Sequence, residues 1–246
     1  MGAPRTRADR PMESTDAQNG KAMRKKGHWA ACGVLLVAGF TACGEGAGGP
    51  ADKPAVRPAS QMCDDTLRGA GGAALRKIGG TDEYWESEGS GRNGDPYEFS
   101  LRATAKRLRE GIPGGDCRIY LGDRDSDFPL IDIHFVATAV SPDPAKPAGS
   151  GDDYGRIIYP VGSYAAVGKN EGAMLYFACP TAKFRKAGGF VKAEMYLDEG
   201  MARPSSTARD RIAVLNAVSR GLAEELGCGA EAKLPAAVPE GHRVHS

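Results

Sequence analysis

A change in hydrophobic period divides this chain into a helical part and a strand-rich part. From Cys117 onward, apolar residues alternate with polar ones, as in strands that bury one face. The inward positions are Cys117, Ile119 and Leu121; Ile131, Ile133, Phe135, Ala137 and Ala139; Ala173, Leu175, Phe177 and Cys179; and Val191, Ala193, Met195 and Leu197. Shorter candidate strands cover 156–159 and 163–167. Because turns rich in Gly, Asp and Pro separate these segments, we expect neighbouring strands to be antiparallel.

Apolar residues at three- and four-residue steps predict three helices. Asp64 and Asp65 are candidate caps of the first helix. The second, over 101–110, competes with a strand interpretation of the same segment, and the third runs from a Thr207 cap to Gly227. Together the elements predict an α+β domain, an antiparallel sheet of five or six strands with helices packed on one face.

The N-terminal segment has the order of an export signal. A basic run over 23–26 precedes an apolar stretch over 29–40 that is too short to span a bilayer. This stretch ends in Phe-Thr-Ala before Cys43, an arrangement that resembles a bacterial lipobox. In lipoproteins of that type, the cysteine receives a diacylglyceryl group and the preceding residues are removed. The resemblance implies a signal peptide over 1–42, a diacylglyceryl anchor on Cys43, and a place on the extracytoplasmic face of the cell membrane.

Two alternatives stay open at this end. Phe40 stands where such motifs most often carry Leu, so a plain cleaved secretory signal is the alternative to lipidation. Residues 1–22 are polar and contain arginine, unlike an export signal, which suggests an over-long N-terminal extension. Met23 is therefore preferred over Met1 as the start.

Four cysteines follow Cys43, and an even number in an exported chain predicts two disulfides because that compartment is oxidising. Of three possible connectivities we favour Cys63–Cys117 and Cys179–Cys228, since each bond then ties one helix to one strand. No C-x-x-C spacing occurs among them, which disfavours a zinc site. No cysteine has a histidine nearby in sequence, which disfavours a catalytic thiol.

Composition assigns roles to the flanking segments. Because 44–60 and 229–246 have few large apolar residues, we expect a flexible tether over 43–60 and a disordered tail over 229–246, flanking a single domain over 61–228. After residue 42 the chain has 25 Lys and Arg against 28 Asp and Glu, a net charge of −3. Without a basic cluster, nucleic acid is not an expected partner.

The order of elements and cysteines resembles actinobacterial surface lipoproteins of unknown function. Besides the lipobox and the tether, the likeness rests on the segments MCDDTLRGAGGAALRKIGG, DCRIYL, YPVG, GAMLYFACP, FVKAEMYL and a helix closing in LGC. It covers nearly all of 61–228. The resemblance implies an anchored envelope protein and no particular reaction.

The G-x-S-x-G, H-E-x-x-H and P-loop motifs are absent from the sequence. His134 follows Asp132 by two residues, so the two share a face of a strand, but a solvated strand surface is the more ordinary interpretation. Alternating aspartates over 123–127 match the first ligands of an EF-hand loop, yet the later Gly and Glu positions are not matched. We therefore expect no catalytic residue, no metal and no cofactor.

The second face of the predicted sheet is the candidate binding surface. Its members are Arg118, Tyr120, Asp132, His134, Tyr176, Lys192, Glu194 and Tyr196. Mixed charges with tyrosines are typical of recognition surfaces, although an ordinary exposed antiparallel face looks similar. The leading hypothesis is a non-catalytic, lipid-anchored envelope protein that binds a protein or an envelope component through this face or the loop at 141–153. The alternatives are a small-molecule receptor with a pocket between sheet and helices and, third, an enzyme of unknown reaction.

Overall fold

This computed structural model describes residues 55–86, 89–90, 96–97, 99–123, 126, 128–143, 155–168, 172–184 and 188–243. The helices are α1 (Met62–Asp65), α2 (Ala70–Gly79), α3 (Leu101–Arg109) and α4 (Ala208–Leu226). The strands are β1 (Tyr84–Glu86), β2 (Gly89–Ser90), β3 (Pro96–Tyr97), β4 (Cys117–Leu121), β5 (Ile131–Thr138), β6 (Ile157–Tyr159), β7 (Tyr164–Val167), β8 (Ala173–Ala178), β9 (Phe190–Leu197) and β10 (His242–Arg243).

Eight strands form one antiparallel sheet in the order β1-β4-β5-β9-β8-β7-β6-β10, while β2 pairs with β3 alone. The predicted α+β class and the antiparallel sheet are confirmed. The predicted count of five or six strands was too low. The two additional strands, β1 and β10, have only three and two residues. Segments of that length cannot display a period of two, so sequence alternation does not detect them.

One face of this sheet packs against the helices, and we call it the covered face. Ile133 and Phe135 of β5 and Leu175 of β8 are buried there in one cluster with Leu215 and Leu222 of α4. Each such side chain contributes roughly 1.5–3 kcal/mol when it leaves water. The alternate strand residues point the other way, onto what we call the open face.

The ends of α4 follow the predicted signals. Thr207 and Asp210 form a reciprocal capping box, in which the Thr207 side chain accepts from the Asp210 N–H and the Asp210 carboxylate accepts from the Thr207 N–H. Gly227 ends the helix with a φ of 79°. In the helix pair α2–α4, a Cβ added at Gly71 would lie 2.7 Å from the Ala217 Cβ, so glycine permits the close approach.

Both disulfides have the predicted connectivity, Cys63–Cys117 and Cys179–Cys228. The bonds close separations of 54 and 49 residues. The chain-entropy model gives roughly 4 kcal/mol for loops of this size as an upper value. The first bond joins α1 to the start of β4, and the second joins the end of β8 to the end of α4.

The predicted first helix is interrupted near its start. Cys63, Asp64 and Asp65 have φ of 53°, 59° and 59°, so α1 is a left-handed turn, and α2 begins only after Gly69. Left-handed backbone costs roughly 1–2 kcal/mol per non-glycine residue. The expectation that Asp64 caps this helix was wrong: its Oδ2 accepts from the Leu101 N–H, 2.9 Å away, at the start of α3.

The C-terminal segment is ordered where the composition predicted disorder. Ala232 and Val238 are buried, and β10 pairs with β6. Asn216 Nδ2 donates to the Pro235 carbonyl at 2.8 Å, and Arg209 Nη2 donates to the Val238 carbonyl at 2.7 Å. The prediction for 229–243 was wrong because α4 supplies donors and an apolar surface that a composition count does not include.

The folded part also begins earlier than residue 61. Arg57 exchanges two backbone hydrogen bonds with Tyr84, and Ala59 is fully buried. Residues 43–54 of the predicted tether, which include Cys43, and the signal segment lie outside the described residues. Among the helices that the structure describes, none combines the length and the apolar character needed to cross a membrane.

Candidate functional site

Strand register places all eight predicted surface residues on the open face. Arg118 lies opposite Asp132, which lies opposite Tyr196. In the next row, His134 lies opposite Glu194. Val136 faces Lys192, and Lys192 faces Tyr176 on β8. Because directly opposed residues in an antiparallel sheet share a face, these side chains form one continuous surface over β4, β5, β9 and β8.

Four charged side chains of this surface form a closed ionic network: Asp116, Arg118, Asp132 and His134. Arg118 Nε donates to Asp132 Oδ2 and Arg118 Nη2 donates to Asp116 Oδ2, each at 3.1 Å. His134 Nδ1 lies 2.7 Å from Asp116 Oδ1, and its Nε2 lies 3.4 Å from Asp132 Oδ1. Each carboxylate therefore directs one oxygen to the guanidinium and the other to the imidazole.

Asp116 is the member that the sequence interpretation missed. It precedes β4, and since Cys117 pairs with Ile133, the register places Asp116 opposite His134. Its two-residue spacing from Arg118 was the available sequence signal. That signal identifies a shared face but not the partner on the neighbouring strand.

These contacts fix the charges of the network. The hydrogen bond to Asp116, and then that to Asp132, raise the pKa of His134 to about 10 against the opposing effect of burial. Burial alone would raise the pKa of Asp116, but the His134 hydrogen bond and the nearby charges of His134 and Arg118 hold it below its ordinary value. At neutral pH the network therefore has two anions and two cations, and its formal charge is zero.

A second ion pair extends the charged surface along β9. Lys192 Nζ lies 2.6 Å from Glu194 Oε1. Burial would lower the pKa of Lys192, yet the hydrogen bond to Glu194 and the electrostatic effects of Tyr176, Glu194 and Tyr196 together outweigh it, and the pKa is raised. The Lys192 ammonium also lies 6.0 Å from the centre of the Tyr176 ring, at the outer limit of a cation–π contact.

The aromatic residues differ sharply in exposure. Tyr196 is 58% exposed and meets His134 edge-on, with ring centres 5.6 Å apart. Tyr120 is only 7% exposed because Trp85 of β1 stacks on it, with ring centres 3.9 Å apart and planes 9° apart. Tyr120 therefore lies under the surface. Trp85 covers the Tyr120 ring on the solvent side. The sequence did not indicate Trp85 because β1 is too short to show an alternating pattern.

The open face is exposed only over its middle strands. Towards β6 and β7, Ile158, Tyr164 and Ala166 form a small separate buried cluster with Met174 and Tyr176 packed against it. Tyr164 meets Tyr176 edge-on, with ring centres 6.0 Å apart. The accessible charges and aromatic rings are consequently concentrated on β4, β5, β8 and β9.

The chemistry of this surface suits binding better than proton abstraction. A general base needs a free lone pair at neutral pH. His134 is protonated there and directs both ring nitrogens at carboxylates. The sequence likeness to an EF-hand over 123–127 falls mostly outside the described residues, as does most of the 141–153 loop.

Two concave regions adjoin the sheet. One, of about 270 Å³, lies beside Met174, Glu194 and Tyr196 at the edge of the open face. The other, of about 380 Å³, lies between strands β6 and β7 and the start of α4, with Arg211 and Arg243 in its lining. Small-molecule sites are typically 300–1,000 Å³, so only the second reaches that range.

Comparison with known proteins assigns this chain to no family. No protein-family model, no curated protein and no solved structure matches the chain. Its resemblance to actinobacterial surface lipoproteins therefore stays a prediction. Function has to be argued from the open face and the clefts themselves.

Proposed function

We propose that this protein is a non-catalytic, lipid-anchored protein of the cell envelope that binds another protein or an envelope component through its open face. The observation that carries the proposal is the exposure of Tyr196, 58%, beside charged side chains already held by one another. Aromatic residues bury a large contact area with little loss of entropy, and preorganised neighbours lower the cost of binding further.

The envelope location is supported by the two disulfides and by the N-terminal sequence. Disulfides persist in oxidising compartments outside the cytoplasm. The basic and apolar runs before Cys43 supply the export signal, and two acyl chains suffice for stable anchoring. In this proposal the diacylglyceryl group alone binds the membrane, and the open face of the domain stays accessible to the partner.

Mild crosslinking and capture from native membranes tests this function, with Tyr196→Ala as the informative variant. Phe128→Ala is the matched control, because Phe128 is an exposed aromatic residue, 71% exposed, in the segment between β4 and β5. We expect Tyr196→Ala to lose the captured partner while melting normally and Phe128→Ala to retain it. Equal capture by the wild type and Tyr196→Ala contradicts the binding role of the open face.

A small-molecule receptor is the second candidate, and the cleft between the sheet and α4 favours it. Arg243 in its lining gives that cleft a chemistry suited to an anionic ligand, and Arg211, although paired with Glu199 at 3.3 Å, adds a second guanidinium. A thermal-shift screen with small organic anions tests the idea, with Arg243→Ala as the variant that should lose the response. Stabilisation that is unchanged in Arg243→Ala assigns the anion to another place and removes this candidate.

A further inference from the structure

We propose that His134 Nε2 and Asp132 Oδ1 form a site for a divalent transition metal such as Zn²⁺, with Asp116 as the positioning residue for the imidazole. The site lies on the open face but does not depend on the proposed partner binding. The proposal rests on the geometry of the ionic network. The imidazole makes a short contact to Asp116 through Nδ1 and a longer one to Asp132 through Nε2.

The contact on Nδ1 fixes which nitrogen is free to ligate. A carboxylate can only accept, so at 2.7 Å His134 Nδ1 donates its proton to Asp116 Oδ1. Metal-ligating histidines characteristically donate the other ring N–H to a carboxylate in this way, which sets the ring orientation and strengthens the ligating nitrogen. Nε2 is then the ligating nitrogen, and it faces Asp132. Because His134 is protonated at neutral pH, the metal has to displace the Nε2 proton, so binding releases one proton and strengthens as the pH rises.

The contact on Nε2 has the spacing of two ligands of one ion. At 3.4 Å, the separation of Nε2 from Asp132 Oδ1 is longer than an ordinary N–H···O hydrogen bond. Zinc binds nitrogen and oxygen at about 2.0–2.1 Å in tetrahedral geometry, which separates neighbouring ligands by roughly 3.3–3.4 Å. An ion can therefore bridge the two atoms without moving either strand.

Asp132 Oδ1 is also a buried acceptor that, among the described residues, receives no ordinary hydrogen bond and faces only the protonated His134 Nε2 at 3.4 Å. Its second oxygen is held by Arg118 Nε, so the carboxylate cannot easily turn away from the imidazole. Buried carboxylate oxygens usually have a partner, and an unpaired one calls for a water or an ion. A cation between Oδ1 and Nε2 would satisfy it.

Solvent access and neighbouring charges determine how strongly the site should bind a metal ion. His134 is one-third exposed, and Glu194 lies opposite it on β9, so water or the Glu194 carboxylate can complete the coordination. The cations Arg118 and Lys192 on the flanking strands oppose a divalent ion, while Asp116, Asp132 and Glu194 favour it. With two protein ligands and a proton to displace from Nε2, we expect affinity well below that of closed structural zinc sites.

Metal-free protein titrated with Co²⁺ and Zn²⁺ tests the site, with cobalt absorption and calorimetry as readouts. The protein carries His242→Gln and His245→Gln so that the C-terminal histidines do not contribute. We expect one equivalent of metal, at least about a hundredfold weaker binding in His134→Gln and Asp132→Asn, and about tenfold weaker binding in Asp116→Asn. Glu224→Gln, an exposed carboxylate on α4, is the control and should bind like its parent.

Imidazole ¹H–¹⁵N spectra of the same parent protein give a readout that does not require a ligand variant to fold. Zn²⁺ should shift the Nε2 resonance of His134 and leave Nδ1 protonated. If millimolar metal leaves the His134 ring resonances unshifted, the proposal is wrong, because only a proton then lies between Nε2 and Asp132 Oδ1. Binding that persists in His134→Gln likewise assigns the metal elsewhere.

Discussion

The two faces of the sheet are made from the same strands but are held together by different forces. On β5, Ile133 and Phe135 are buried under the helices, while the alternate residues Asp132 and His134 are held by a guanidinium and a second carboxylate. Apolar burial is non-directional and depends on area, whereas the ionic network depends on the placement of individual atoms. The comparison teaches that stability resides mainly on one face and chemical specificity on the other.

Truncation of one core side chain gives the largest expected effect and tests the covered face directly. Phe135→Ala should lower the free energy of unfolding by about 3–5 kcal/mol, because it removes a fully packed ring. Urea denaturation measures the change. Val136→Ala, the next residue on the open face, is the control and should cost less than about 1 kcal/mol. Equal losses would contradict the division of roles between the faces.

The disulfides belong to the covered face as well, since all four cysteines are fully buried. Replacing Cys179 and Cys228 together by Ala should destabilise the protein by about 2–4 kcal/mol through the released chain entropy. The effect is read as a lower denaturation midpoint. Reduction of the wild type also breaks Cys63–Cys117 and should lower the midpoint further. A double variant as stable as the oxidised wild type would show that the Cys179–Cys228 bond constrains little.

A pH dependence should come from the open face. Because the pKa of His134 is raised to about 10 in the folded state, its contribution is complete below the unfolded value near 6.5 and is lost as pH rises towards 10. The side chain is one-third exposed, so after discounting for solvent screening we expect a loss of only about 1–2 kcal/mol. Chemical denaturation between pH 6.5 and 9 in a chelator measures it.

His134→Gln is the control for that pH dependence. Glutamine keeps polar contacts but has no proton to lose in this range, so its stability should fall less steeply with pH. Parallel curves for the wild type and His134→Gln would mean that the network contributes no differential stability. The conclusion that ionic contacts hold the open face together would then be wrong.

The smallest effect on stability is expected at Tyr196. Since its ring is more than half exposed, Tyr196→Ala should change the free energy of unfolding by no more than about 0.5 kcal/mol. Tyr120→Ala should cost several times as much, because that ring lies buried beneath Trp85. Thermal melting distinguishes the two, and similar losses would place both rings in a core.

Much of the fold could be predicted from the sequence because its signals are local and repeated. Alternation over β4, β5, β8 and β9 identified long strands and their two faces, and Thr207 and Gly227 marked the ends of α4. The disulfide pairing followed from joining helices to strands. Such patterns are set by burial and backbone geometry at each residue.

The sequence prediction failed where short segments depend on distant partners. The left-handed turn at Cys63 and Asp64 is held by a disulfide to β4, by the Leu101 N–H, and by Glu86, which accepts from the Cys63 N–H at 2.7 Å. The C-terminal residues become ordered because Arg209 and Asn216 bind their carbonyls. Neither interaction leaves a periodic trace, so the capping signal misled at the turn and composition misled in the C-terminal segment.

By itself, the sequence determined which side chains share a face and favoured the cysteine pairing that the structure shows, while the export-type leader before Cys43 stays a prediction. Only the tertiary structure decided that Asp116 completes the network of Arg118, Asp132 and His134, and that Trp85 covers Tyr120. The physical reason is that strand parity is a property of one segment, whereas register between strands depends on turns and packing across the sheet.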